Sequence, residues 1–262
     1  ITSPLASVYS LSLGTSGVSP LEMAAAFATF ATGGVQHKPF WIRRVEDPLG
    51  RVLEEHIVRG QRSLDASIGY QVVDMMRDVL TAGTGRVVRR KGFDLPAAGK
   101  TGTTDDFRDA WFTGFTPTLS VCVWVGYDRG ASMRDVNGVG ITGGRGAAPI
   151  WADFMIKANS GEPAREFVVP SDIQFAAVDP INGAVAGQWT KNPVKVALRS
   201  GQEASAVPVQ PTETATGSPV IQMPDEMTIQ KGDEPATQTV EKPDVVESAD
   251  DSTIKEEELP PE

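Results

Sequence analysis

The 262-residue chain is short of several things at once. It has one cysteine, Cys122, so no internal disulfide forms. It has two histidines, His37 and His56, and neither has a partner at metal-ligand spacing, so no metal site is expected. No hydrophobic run is long enough to cross a membrane, and no signal peptide is expected in the opening residues. Residues 201–262 lack Phe, Tyr and Trp altogether and carry eight prolines. They hold 15 acidic residues against 3 lysines, a balance of −12, whereas residues 1–200 hold 21 basic and 19 acidic residues, a balance of +2. The acidity therefore belongs to the tail. Without a basic stripe, nucleic acid is not an expected partner. A segment of the tail's composition cannot bury enough apolar surface to offset chain entropy, so 201–262 is expected to be disordered.

Hydrophobic residues make up 40% of the chain, enough for a core in the remaining part. The chain opens without Met on "ITSPLASVYSLSLG", which reads like the middle of a domain, so a fragment is expected. "VSPLEMAAAFATFATGG" (18–34) is a helix with both ends written in. Ser19 caps it, Pro20 suits the first helical position, Glu22 completes a capping box, and Gly33-Gly34 stop it. Met23, Phe27 and Phe30 space out its apolar face. Residues 40–55 read as strand, turn, strand around Asp47-Pro48-Leu49-Gly50, flanked by the two histidines. A second helix spans 64–85, capped by Asp65, with Ile68, Val72, Met75, Met76, Val79 and Leu80 at helical spacing.

Three strands follow at 95–104, 109–115 and 119–127, close enough for an antiparallel meander. Cys122 alternates with valines in the last and reads as a small strand residue. A Gly-rich loop (137–148) leads to a short helix at 149–158, with Pro149 at its start. Weaker strand signals occupy 166–199. The order is α+β, not the regular alternation of a doubly wound sheet.

The chemistry concentrates in "AAGKTGTTDD" (97–106). A phosphate-binding loop, G-x-x-x-x-G-K-[ST], would need glycine at position 94, where Asp94 stands. It would also need a helix starting at the lysine, and "TGTTDD" is poor helix material. On a strand, Lys100 and Gly102 share one face, and Thr101 and Thr103 the other. A cation, hydroxyl donors and an outward strand N–H suit an anionic acyl substrate. A solvent-exposed polar strand is the plain alternative. Asp105, Asp106 and Asp109 read as a solvated turn, with Asp109 pairing with Arg108. Trp111 and Trp124 read as strand packing.

"AAGKTGTTDDFRDAWFTGFTPTLSVCVWVGYD" closely resembles the K-T-G region of penicillin-recognising serine transpeptidases. "LGTSGVSPLEMAAAFATFATGG", "TAGTGRVV" and "GGRGAAPIWADFM" resemble further landmarks of class A penicillin-binding proteins, in the right order, from about Leu11 to Ile156. The resemblance implies the penicillin-binding protein/serine β-lactamase-like fold, an antiparallel sheet with flanking helices, present in part. It implies domain limits of 1–158 for the transpeptidase part, 159–200 for a small β extension and 201–262 for the tail.

Such enzymes use S-x-x-K, S-x-N and K-T-G motifs. Only K-T-G occurs here in context, so the nucleophilic serine is expected upstream of Ile1. Ser252-Thr253-Ile254-Lys255 has the spacing of the first motif, but it lies in the tail, with three glutamates that favour protonated lysine. By resemblance, Lys100 and Thr103 are catalytic, and Lys100, Thr101, Gly102 and Thr103 bind substrate. Lys100 supplies charge near the substrate carboxylate, and the threonine hydroxyls bind that carboxylate. The Thr103 N–H is one of two oxyanion donors, Gly102 gives close approach, and Thr104 fixes the strand end.

The implied activity is peptidoglycan cross-linking by a D,D-transpeptidase within a bifunctional glycosyltransferase/transpeptidase, at the outer face of the bacterial inner membrane. The membrane anchor and glycosyltransferase domain are expected outside this chain. Partners are the D-Ala-D-Ala stem peptide, β-lactams and other cell-wall synthesis proteins; no cofactor is expected. A D,D-carboxypeptidase or β-lactam sensor of the same superfamily, and a non-enzymatic module acting through the acidic tail, are the competing readings.

Overall fold

Sequence signals for helix ends translate directly into structure. In the computed structural model, which describes residues 1–188, 190–202 and 204, helix α1 runs Pro20–Ala31. Glu22 N–H donates to Ser19 Oγ while the Glu22 carboxylate accepts from Ser19 N–H, a complete capping box. The same carboxylate also receives both backbone and hydroxyl donors from Thr2 and Ser3, tying the first residues to the helix start.

Strands β1 (Val35–His37), β2 (Arg44–Glu46), β3 (Val52–Glu55) and β4 (Gly60–Arg62) come next. β2 pairs with β3 inside an outer β1–β4 pair, all antiparallel. The turn at Asp47–Gly50 closes as expected, with Gly50 N–H donating to Asp47 O at 2.9 Å. The strands, however, are shorter than the 40–55 span suggested. Phe40, Trp41 and Ile42 are exposed with no strand pairing, and Phe40 stacks on His56.

Helix α2 spans Ala66–Thr81, with Asp65 Oδ1 accepting from Ser67 and Ile68 N–H. Its buried face is Tyr70, Val73, Met76 and Leu80, while Ile68 and Met75 are exposed. The apolar spacing found the helix and, of its stripe, Met76 and Leu80 are buried, Val72 and Val79 half-buried, and Ile68 and Met75 exposed. Tyr70, absent from that stripe, packs edge-on to Phe175. A short helix α3 (Val87–Arg90) follows.

The centre is a three-stranded antiparallel sheet of β5 (Ala98–Thr103), β6 (Asp109–Phe115) and β7 (Ser120–Gly126), in the order β5-β6-β7. Helix α4 (Ala147–Ala158) begins two residues before the expected start, with Gly146 as its cap. It covers one face of the sheet. Trp151 is fully buried there beside Phe93 and Phe112, and its indole N–H donates to Val121 O and Gly114 O at 3.1 and 3.3 Å. On the other face Phe115 meets Phe27 and Phe30 of α1. α2 contributes to both clusters, Leu80 to the first and Tyr70, Val73 and Met76 to the second, so it runs beside β5.

The last hairpin, β8 (Ile173–Val178) with β9 (Val194–Arg199), docks on α2. Gln71 donates to Ala197 O at 2.9 Å, Asp74 accepts from Ala197 N–H at 3.0 Å, and Ser67 donates to Asp172. Most of the tail read as disordered, including Ser252 and Lys255, falls outside the described residues.

Candidate active site

β5 has one paired side. Its register with β6 sets Lys100 against Thr113, Thr101 against Phe112, Gly102 against Trp111 and Thr103 against Ala110. Thr104 N–H donates to Asp109 O at 3.1 Å. Hydrogen-bonded pairs alternate in an antiparallel ladder, so 104–109, 102–111 and 100–113 exchange backbone bonds. The backbone groups of Thr101 and Thr103 therefore point away from β6, to the open edge. The strand continues through Lys100, with no helix beginning there, so the geometry of a phosphate loop is absent from this stretch.

Lys100 is exposed at that edge, and its Nζ donates to Thr101 O at 2.8 Å. Its charge thus lies along the row of outward backbone groups. On the opposite face of β5, two segments converge on the threonines. Thr84, in the loop after α2, places its hydroxyl 2.6 Å from that of Thr101. Gly143, in the loop before α4, donates its N–H to Thr103 Oγ1 at 3.0 Å. A Cβ on Gly143 would fall 2.3 Å from Trp111 O and 2.5 Å from Gly102 O, so only glycine permits this approach. The close contact anticipated at Gly102 is thus made by glycine on the other side of it. Gly102 itself faces the Trp111 side chain.

The loop that carries Gly143 is strapped from within. Asp135 accepts from Asn137 and Val139 N–H, each at 2.9 Å, and pairs with Arg145 at 2.8 Å. The Val139 and Asn137 amides, with the Arg145 guanidinium, hold its carboxyl below the usual range. Phe107 packs under Gly140, with Arg134 over its ring at 5.1 Å.

Around the expected acidic turn the partners differ from the sequence reading. Arg108 pairs with Asp106, not with Asp109. Asp109 instead accepts from Trp124 Nε1 at 2.8 Å and from Thr104 Oγ1 at 3.1 Å, because its position at the start of β6 sets it beside β7 on one side and the end of β5 on the other. Thr104 ends the strand, as expected. Cys122 is partly buried and accepts from Thr113 Oγ1 at 3.1 Å, and burial pushes its thiol pKa up, away from reactive thiolate. Among the described residues, no group of three or more His, Cys, Asp and Glu gathers as metal ligands, and no helix is long and apolar enough to cross a membrane.

Two residues of this neighbourhood were not singled out from sequence. Thr84 sits in "TAGTGRVV", which resembled a family landmark, but its contact with Thr101 crosses 17 positions and has no local signature. Gly143 opens "GGRGAAPIWADFM", which also resembled a family landmark, but its contact with Thr103 crosses 40 positions.

The chain is similar to known proteins. The model of the penicillin binding protein transpeptidase domain matches residues 5–154, more than half of the chain. Penicillin-binding protein 1A of Aquifex aeolicus (strain VF5) is 42% identical over 172 residues, covering 66% of this chain and 23% of the relative. The chain spans about a quarter of the length of the curated relatives it matches. The crystal structure of penicillin-binding protein 1A from Haemophilus influenzae superposes with TM-score 0.67 at 23% identity, over 76% of this chain and 34% of that one, a likeness of fold. The PonA1 protein from Mycobacterium tuberculosis in complex with penicillin V superposes with TM-score 0.54 at 28% identity, over 62% of this chain and 44% of that one.

Proposed function

This chain belongs to the penicillin-binding protein transpeptidase domain family, and from that premise we propose that it forms the K-T-G side of a D,D-transpeptidase active site in a longer peptidoglycan synthase. The observation that carries the reading is the open edge of β5, where the Lys100 ammonium and the outward N–H of Thr103 lie on one short stretch of strand.

An acyl donor ending in D-Ala-D-Ala lies along that edge. Its terminal carboxylate meets the Lys100 charge and the Thr101 and Thr103 hydroxyls. The Thr103 N–H points at the carbonyl oxygen that becomes the oxyanion when a serine, contributed from outside this chain, attacks. The tetrahedral intermediate then expels the terminal D-Ala, and an amine of a second stem peptide takes the acyl group. A fixed oxyanion donor of this kind stabilises the transition state by roughly 3–4 kcal/mol. β-Lactams, with a carboxylate and a strained amide, occupy the same edge. Penicillin V bound to PonA1, whose fold this chain shares in part, supports that ligand class. The synthase would act at the outer face of the bacterial inner membrane, its anchor and glycosyltransferase lying outside this chain.

Acylation of the complete protein by a fluorescent penicillin tests the reading. Lys100→Ala removes one charge-assisted hydrogen bond, about 1.5–3 kcal/mol, and is expected to slow acylation by tens of fold with unchanged thermal stability. Lys100→Arg should recover part of the rate, since charge is kept and geometry is not. Thr103→Val should cost less, because the N–H survives. Near-normal acylation in Lys100→Ala at unchanged stability would remove the proposed role of this edge.

A further inference from the structure

We propose that Thr84 is a positioning residue for this site: its hydroxyl donates to Thr101 Oγ1 and thereby leaves the Thr101 proton free for a carboxylate on the bound substrate. The inference rests on the reading of the β5 edge given above and adds to it the orientation of one proton.

The two hydroxyls lie 2.6 Å apart, so one donates and the other accepts. Two arrangements exist in the free protein. If Thr101 donates to Thr84, it has no proton left for a ligand. If Thr84 donates to Thr101, the Thr101 proton remains available. A carboxylate is acceptor-only, so its arrival selects the second arrangement. The chain Thr84 O–H to Thr101 O–H to carboxylate is then satisfied throughout, and each bond polarises the next. Thr103 needs no such help. Its oxygen accepts from the Gly143 backbone N–H, which leaves the Thr103 proton free whatever its neighbours do. The two threonines of the motif are thus prepared by different devices, a side chain for Thr101 and a main chain for Thr103.

The placement of Thr84 is built in. It stands between Gly83 and Gly85, whose N–H groups turn back to Asp78 O and Val79 O at the end of α2, each at 2.9 Å. A Cβ on Gly85 would meet Val79 O and the Phe112 ring at 3.1 Å, so the loop hugs the helix end and the sheet. On its other side, the Thr84 carbonyl is met by Gly144, where a Cβ would stand 2.5 Å from Thr84 O. The Gly143-Gly144 pair therefore serves both threonines of β5, Thr103 through the Gly143 N–H and Thr101 through the brace of Gly144 on Thr84.

The test uses the complete protein and two probes, benzylpenicillin and its neutral carboxyl ester. Thr84→Val keeps the side-chain shape and removes the hydroxyl. It should lower the second-order rate of acylation by benzylpenicillin about three- to tenfold, chiefly as weaker initial binding and not slower acylation of the bound complex. Thr84→Ser should restore the rate. With the ester, the wild-type and valine proteins should react alike. In a Thr101→Val background, Thr84→Val should have no further effect, because the two residues act as one unit.

Equal loss with acid and ester, or additive loss in the double variant, overturns the positioning role. Lys100→Ala separates this inference from its premise. If Lys100→Ala is impaired while Thr84→Val behaves as wild type, only the positioning role fails. If Lys100→Ala reacts normally, the reading of the edge fails with it.

Discussion

Residues 1–62 and residues 66–158 carry equally clear local signals and end in very different surroundings. The first region has a complete capping box, a helix stop and a well-made turn, yet Gly34 is its only buried residue. Even α1, with Phe27 and Phe30 on the sheet, has no fully buried side chain. The second region buries Leu80, Val88, Phe112, Trp151 and Met155 completely. Two tryptophans show the contrast. Trp151 is wholly enclosed between α4 and the sheet, whereas Trp41, beside the β2–β3 hairpin, is 83% exposed. Caps and turns act through backbone hydrogen bonds within a few residues and need no neighbours. Burial needs a second surface, and here the sheet supplies it to α4 on one face and to α2 along β5.

The sharpest way to break this comparison is to truncate both tryptophans. Trp151→Ala leaves a cavity among Phe93 and Phe112 and strips Gly114 O and Val121 O of their indole donor. It should cost about 3–5 kcal/mol in a denaturant titration, the range of large core truncations. Trp41→Ala should change stability by less than ~0.5 kcal/mol. Comparable losses at the two positions would mean that the hairpin is packed as the core is.

What the residues disclosed in advance follows the same division. The three central strands, helices α1 and α2 and the Asp65 and Ser19 caps were legible because each depends on spacing or on a side chain within three positions. Of the buried α2 face only Met76 and Leu80 were read from spacing, because periodicity alone does not say which side meets β8–β9. That side is chosen by Tyr70 and Val73 meeting Phe167, Ile173 and Ala197. The Lys100-to-Thr103 stretch was legible as an edge motif. Its support was not, since Thr84 and Gly143 reach it from 17 and 40 positions away. The Asp109 partner was missed for a similar reason. A turn reading pairs neighbours in sequence, and the strand pairs Asp109 with Trp124 across the sheet.

A smaller effect sharpens the contrast at glycine. Gly143→Ala sets a methyl against Trp111 O and Gly102 O, backbone atoms that cannot swing aside. It should destabilise the chain by about 1–3 kcal/mol, as overpacking does. It should also slow penicillin acylation of the complete protein by moving the donor off Thr103. Gly17 lies in the open region with nothing within 4 Å of a new Cβ. Gly17→Ala should stay within ~0.5 kcal/mol of wild type and leave acylation unchanged. Wild-type stability in Gly143→Ala would show that the loop has room to retreat, and that its contact with β5 is not a tight one.

The smallest expected effect lies at the capping box, where the open region holds a dense polar cluster. The Ser3 hydroxyl, then the backbone N–H groups of Ser19, Ser3 and Thr2, lower the Glu22 pKa far below its ordinary 4.5, against a slight opposing effect of desolvation. A carboxylate whose folded pKa is depressed contributes stability that is fully present above its unfolded pKa. That contribution is lost as pH falls below about 4.5 toward the folded value. Glu22→Gln retains an acceptor for Ser19, since glutamine also serves in capping boxes, but removes the charge. Wild type should therefore melt higher than Glu22→Gln at pH 7, and the gap should narrow steadily below pH 4.5 and close in strong acid. The site is solvent-exposed, so salt should shrink the gap at neutral pH as well. A difference in melting temperature that stays constant from pH 7 to acid would mean that the cluster acts through shape alone. The charge of Glu22 would then play no part in tying Thr2 and Ser3 to α1.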